Sequence, residues 1–254
     1  MEHAPAGTGA RIVSLVPSVT ELLCDLGLGQ SLVGRTGFCI HPRAVVRGIR
    51  KVGGTKDVKL DVVRELEPTH VVVNVAENRL ETARELAAFV PSVVVTHPLG
   101  PLDNPGLYRL LGGIFGREAA AARLCSDFDD ALRDAQAGAA SERRRVLYLI
   151  WREPWMTVSR DTYISRTLAL FGWDTVPAET PERYPTVDLA AVAPHVDRVL
   201  LSSEPYRFRE KHLAEAAALA PEATVSLIDG EMTSWYGSRA IEGLRYLAAY
   251  TATT

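Results

Sequence analysis

The feature that most constrains this chain is a phrase it uses twice. RIVSLV (Arg11–Val16) is answered by RVLYLI (Arg145–Ile150), and each apolar run leads into a helical pattern that stops at glycine, Gly27 or Gly172. LDVVRELEPTHVVVN (Leu60–Asn74) is answered by VDLAAVAPHVDRVLLS (Val187–Ser202): an Asp-led short helix, a proline, then a strand. VPSVVVT (Val90–Thr96) is answered by APEATVSLI (Ala220–Ile228). Three pairs in the same order predict two lobes of similar architecture. Strands alternating with helical patterns predict parallel α/β layers in each.

In the first half, strands are expected at Arg11–Val16, Leu32–Gly34, Val71–Asn74 and Val93–Thr96, with helices near Asp61–Leu66 and Leu80–Phe89. SVTE places Ser18 at an N-cap and Glu21 three residues on, the reciprocal capping box. Between the halves, Leu107, Leu110, Leu111, Ile114, Phe115, Leu124, Phe128 and Leu132 keep a helical spacing. One helix from Leu107 to Ala137 would be about 45 Å long at ~1.5 Å per residue, a strut with little hinge closure. The expected division is 1–104, a backbone helix over 105–138, and 139–254.

A chain of 254 residues, 47% hydrophobic and 23% charged, is globular, and a net charge of −3 gives no footprint for nucleic acid or an anionic membrane. The arginines at 143–145 read as a solvated strand entry. No apolar run approaches the ~20 residues of a membrane helix. Cys24, Cys39 and Cys125 are odd in number and widely spaced, which fits a reducing compartment. MEHAPAGTGARIVSLVPS has no basic n-region and no lipidation cysteine, so a cytoplasmic location is expected; a periplasmic or surface-anchored one would need a signal this stretch does not carry.

In α/β sheets ligands lie beyond the carboxyl ends of strands. Arg35, Phe38, Cys39 and His41 follow the second strand, and Glu77, Asn78 and Arg79 follow the third. IWREPWMTV supplies Trp151 and Trp155, SSEPYRF supplies Glu204, Tyr206 and Phe208, and DGEMTSWYGSR supplies Trp235, Tyr236 and Arg239 from what reads as a turn. Three of the four tryptophans thus fall on strand-end loops, a distribution that suits a broad, flat, partly polar ligand. There is no G-x-G-x-x-G, Walker A loop, G-x-S-x-G elbow or H-E-x-x-H, and no catalytic residue is assigned. Cys39 and His41 in FCIH form only half a metal site. His70 lies at the wrong end of its strand for a ligand, His97 is a weak candidate, and GGT (Gly53–Thr55) would let backbone approach a ligand.

Nearly the whole chain resembles the helical-backbone (class III) substrate-binding proteins of cobalamin and iron–siderophore importers, nearest to the cobalamin-binding helical backbone metal receptors. The likeness runs through RIVSLVPSVTELLCDLG, VGRTGFCIHP, KVGGTKDVKLDVVRELEPTHVVV, ENRLETARELAAF, LIWREPWMTV, SSEPYRFREKH and DGEMTSWYGSR. It implies two Rossmann-like α/β lobes joined by one long backbone helix, with a ligand cleft between the lobes. Phe38, Trp151, Trp155, Trp235 and Tyr236 would then enclose the ligand. Arg35, Glu77, Asn78, Glu204 and Arg239 would meet its polar edge. The class docks its permease through an acidic residue on each lobe, for which Glu77 or Glu81 and Glu204 or Glu210 stand nearest.

The expected function is non-enzymatic binding of a corrinoid, cobalamin foremost, with no intrinsic cofactor. Its partners would be the metal-chelate ligand and an importer permease or a cytosolic corrinoid-handling protein. Two alternatives stand beside it: a ferric-siderophore or haem binding protein, and a metal-dependent enzyme built on Cys39 and His41. His41 is also a candidate axial contact to a metal carried by the ligand.

Overall fold

The computed structural model describes residues 5–7, 9–137 and 143–253. The chain packs as two units: residues up to Pro98 with Asp103–Phe128 and Tyr236–Arg239, and Leu99–Leu102 with Asp129–Trp235 and the residues from Ala240. The expected boundary at 138–139 lies outside the described residues.

In the first unit, β1 (Ile12–Ser14), β2 (Leu32–Arg35), β3 (Arg50–Lys51), β4 (His70–Asn74) and β5 (Ser92–Thr96) form one sheet in the order β3-β2-β1-β4-β5. Every pair is parallel. The order reverses between β1 and β4, the kind of switch point at which α/β sheets bind ligands. Helices α1 (Pro17–Asp25), α2 (Arg43–Val46), α3 (Leu60–Glu65) and α4 (Leu80–Ala87) alternate with the strands. HVVVN is buried at all five positions of β4, the unbroken apolar run of a strand covered on both faces. Val13, Leu15, Val52, Val63, Val71, Val73, Leu86 and Val90 close into the core, each such side chain contributing ~1.5–3 kcal/mol by burial.

The expected capping box is absent. α1 starts at Pro17, its cap Val16 makes no side-chain bond, and Ser18 Oγ has no hydrogen-bond partner. Proline suits the first helical position because it has no amide hydrogen to satisfy, and Glu21 is taken by Arg239 instead. The helix expected over Leu107–Ala137 is two: α5 (Asn104–Phe115) and α6 (Glu118–Ala137). Gly116 breaks them apart in a left-handed conformation, φ +63°, which costs glycine little. α6 makes one of the chain's passages from the first unit into the second; its 20 residues span about 30 Å rather than 45 Å.

In the second unit, β6 (Arg144–Trp151), β9 (Arg198–Ser202) and β10 (Thr224–Ile228) are parallel in the order β10-β9-β6. The free edge of β6 is shared. β8 (Trp173–Thr175) pairs parallel with its first half and β7 (Met156–Thr157) antiparallel with its second. Helices α7 (Tyr163–Ala169), α8 (Leu189–Val192), α9 (Leu213–Leu219), α10 (Gly230–Ser234) and α11 (Arg239–Thr253) complete the unit's elements, α11 beginning in the first unit. Leu147, Leu149, Leu189, Val199, Leu201 and Phe208 form the centre of the core. DGEMTSWYGSR is not a plain turn: Asp229 caps α10, its carboxylate accepting the amides of Glu231 and Met232. That acid before a short helical run was a readable start signal.

Candidate functional site

In the first unit, the loop after β2 leaves Phe38 62% and Ile40 47% exposed, and the loop after β4 leaves Val75 54% exposed. These rims lie at the carboxyl ends of two parallel strands. Their shape is fixed by polar groups beneath them. Arg35 is buried, Nε donating to the Val46 carbonyl (2.8 Å) and Nη1 to that of Thr36 (3.0 Å), so its guanidinium holds the loop that presents Phe38. Asn78 is buried too. Its Oδ1 accepts the Asn74 amide at 2.8 Å and its Nδ2 donates to the carbonyls of Leu15 and Thr55. That one side chain laces the ends of β1 and β4 to the Gly53–Thr55 turn. Gly53, at φ +108°, has no room for a side chain: a Cβ would stand 2.3 Å from the Asp57 carbonyl oxygen.

His41 is half-buried, whereas Arg79 is exposed and within 3.6 Å of the exposed Asp57. Cys39 points inward, its sulfur accepting from Thr20 Oγ1 at 3.0 Å, with burial pushing the thiol pKa up. Cys39 and His41 therefore present different environments, and among the described residues no group of three His, Cys, Asp or Glu could hold a metal ion. His70 begins β4 and is buried; His97 is exposed beyond β5.

Tyr236–Arg239 belong to the first unit, though the sequence places them far from it. The Tyr236 hydroxyl donates to the Glu77 carboxylate. The Gly237 amide donates to Asn104 Oδ1 (2.7 Å) and its carbonyl accepts from Tyr108 Oη (2.8 Å). Arg239 sits bidentate on Glu21, Nε to Oε2 at 2.8 Å. Burial pushes the Glu21 carboxyl pKa up, and Arg239 opposes it.

In the second unit, Trp151 ends β6 and stays 42% exposed. Tyr206, half-buried in the loop after β9, stands edge-on to it with centroids 5.6 Å apart. Behind them, Tyr206 meets Phe208 at 4.8 Å, and Trp155 stacks on Phe208 at 6.0 Å and 6°. The Tyr206 amide donates to the Ile150 carbonyl, tying the loop to β6. Trp235 is 9% exposed and its indole N–H donates to Glu204 Oε2 at 3.0 Å. Ser202 Oγ accepts both the Glu204 amide and the hydroxyl of the fully buried Tyr148, which also meets Thr233 Oγ1.

Ten of the thirteen expected site residues fall into two groups; of the other three, Trp155 stacks on Phe208, Arg79 lies exposed beside Asp57 and His41 is half-buried. Phe38, Trp151 and Tyr206 present ring surface at strand ends. Arg35, Glu77, Asn78, Glu204, Trp235, Tyr236 and Arg239 are engaged instead by one another, by the backbone or, for Arg239, by Glu21. Sequence reasoning missed Ile40 and Val75, apolar residues in loops with no periodicity to flag them, and His212, the last letter of SSEPYRFREKH. It placed Glu21 in a capping box and missed its pairing with Arg239.

A family model described as periplasmic binding protein matches residues 12–203. A vitamin B12-binding protein of Vibrio parahaemolyticus is 26% identical over 196 residues, 76% of this chain and 70% of its own. Among solved structures, the periplasmic vitamin B12 binding protein BtuF of Vibrio cholerae superposes with a TM-score of 0.84 at 18% identity, covering 96% of both chains. The periplasmic haem binding protein HutB of the same organism gives 0.79 at 21%, covering 96% of this chain and 99% of its own. These likenesses overturn the expected cytoplasmic location. The matched family and both structures are described as periplasmic, and where a sequence begins says nothing of what precedes it.

Proposed function

Because the chain belongs to the periplasmic binding protein family, we propose that it is a solute-binding protein for cobalamin or a related corrinoid, working outside the cytoplasmic membrane with an importer. The observation that carries this reading is the Trp151–Tyr206 pair: two rings at the carboxyl ends of β6 and β9, one of them 42% exposed. Rings offer large contact area with little rotamer entropy to lose, which suits a macrocycle. Phe38, Ile40 and Val75 give the first unit's strand ends a comparable apolar rim. The vitamin B12-binding relative of V. parahaemolyticus supports cobalamin as the first ligand to try. The corrinoid is cargo here, not a resident cofactor. Glu81 and Glu210, both exposed, are the acidic residues proposed to meet a permease, since Glu77 and Glu204 accept bonds from Tyr236 and Trp235.

Haem is the second reading, favoured by the likeness to the haem binding protein HutB. A thermal-shift series with cyanocobalamin, haemin and a ferric siderophore separates the two. The corrinoid reading expects the largest rise in melting temperature with cyanocobalamin; a larger rise with haemin would replace it. Trp151→Ala is expected to weaken cyanocobalamin binding by about 1–3 kcal/mol, as for an interface anchor. Its melting temperature should barely move, because the ring is only partly buried. Unchanged affinity in that variant would remove Trp151 from the site.

A further inference from the structure

His212 is 5% exposed, so it touches no ligand, yet both of its ring nitrogens are engaged. Nδ1 accepts the Arg209 backbone amide at 2.9 Å. An amide nitrogen can only donate, so Nδ1 carries the lone pair and the imidazole proton sits on Nε2. Nε2 lies 3.3 Å from Tyr206 Oη and therefore donates to it. The imidazole also meets the rings of Tyr206 and Phe208 nearly edge-on, at 5.6 and 5.5 Å. Tyr206 is in turn the ring against which half-exposed Trp151 leans. One buried side chain thus reads a backbone amide on one edge and meets, with the other, the ring on which Trp151 leans.

We infer that His212 is a positioning residue for the ligand surface: its neutral Nε2–H tautomer, selected by the Arg209 amide, fixes Tyr206 and through it the pose of Trp151. This rests on the reading that these rings meet the ligand. Asn and Gln dissect the two edges. His212→Asn puts an oxygen where Nδ1 was and keeps the Arg209 bond, but cannot reach Tyr206. His212→Gln puts its amide nitrogen where Nε2 was and keeps the Tyr206 bond instead.

The experiment measures cyanocobalamin affinity and melting temperature for both variants. It also records fluorine NMR of unliganded, fluorotryptophan-labelled protein, with the Trp151 signal assigned by its loss in Trp151→Phe. His212→Asn is expected to lose about three- to tenfold in affinity, the worth of one hydrogen bond, and to shift the Trp151 signal. His212→Gln should keep the wild-type signal and stay within about twofold in affinity, even if less stable. Tyr206→Phe, which keeps the ring and removes the acceptor, should reproduce His212→Asn should that variant fold poorly. Wild-type affinity or an unmoved Trp151 signal in His212→Asn overturns the inference. So does an equal loss in both variants that tracks melting temperature. If wild-type protein binds no cyanocobalamin, the corrinoid reading fails by itself, and the fluorine signal still decides whether His212 sets Trp151.

Discussion

Tyr148→Ala lowers the stability of the protein by about 5 kcal/mol, a large share of the ~5–15 kcal/mol that holds a domain folded. Removing a buried aromatic ring costs ~3–5 kcal/mol in transfer and cavity terms, and Tyr148 is wholly buried in the middle of β6. Its hydroxyl also donates to Ser202 Oγ at 2.8 Å and meets Thr233 Oγ1, and a buried polar group left without its partner adds ~1–3 kcal/mol. Because Ser202 receives the Glu204 amide as well, the loss reaches the loop that carries Glu204 and Tyr206. Tyr148→Phe keeps the ring and should cost only about 1–2 kcal/mol. Urea unfolding of the three proteins checks the ranking; a Tyr148→Ala cost no greater than that of Tyr148→Phe would contradict it.

The second large effect is expected at the Arg239–Glu21 pair, whose side chains are 10% and 14% exposed. Breaking a buried pair by removing one partner costs ~3–5 kcal/mol, because the other charge stays behind unpaired. The residual exposure puts Arg239→Ala at the low end, about 3 kcal/mol. The double change Arg239→Met with Glu21→Gln should cost less than Arg239→Ala alone, since it strands no charge. The pH dependence has a definite sign. Without Arg239, burial, the largest influence on Glu21, is opposed only by His41 and reinforced by Asp25, so its folded pKa rises further above the usual 4.5. A carboxyl whose folded pKa is raised binds more protons folded than unfolded, so stability falls as pH rises from the usual value through the raised one. The Arg239→Ala deficit should therefore be smallest in acid and grow through that window. A deficit independent of pH, or seen only with ligand present, would return Arg239 to a role at the ligand's edge.

These two sites show what the sequence made legible. The fold was readable because the RIVSLV and RVLYLI phrases, the Asp-led helices and the apolar strands are local patterns with fixed periods. The strands it missed, β3, β7 and β8, are two or three residues long, too short for a period to declare itself. The capping box at Ser18 and Glu21 failed because a distant residue outbid a local bond: Arg239 lies 218 positions away. The unbroken backbone helix failed at Gly116, whose neighbours keep apolar spacing through a left-handed turn.

The candidate site was legible as a set of strand-end residues but not as an arrangement. Nothing local tells Trp151, left exposed, from Trp235, whose indole is bonded to Glu204. Nor does DGEMTSWYGSR announce that Tyr236 and Arg239 pack in the first unit while Trp235 packs in the second. Those distinctions come from pairings across 31 to 218 positions. His212 escaped for the same reason. What singles it out for the inference is which atoms its two nitrogens meet.

The proposal is tested most directly by isothermal titration of the purified wild-type protein with cyanocobalamin. A one-to-one complex with a dissociation constant in the micromolar range or below is predicted, weakened in Trp151→Ala at unchanged stoichiometry. No heat of binding, together with no displacement of the corrinoid across a dialysis membrane, would contradict it.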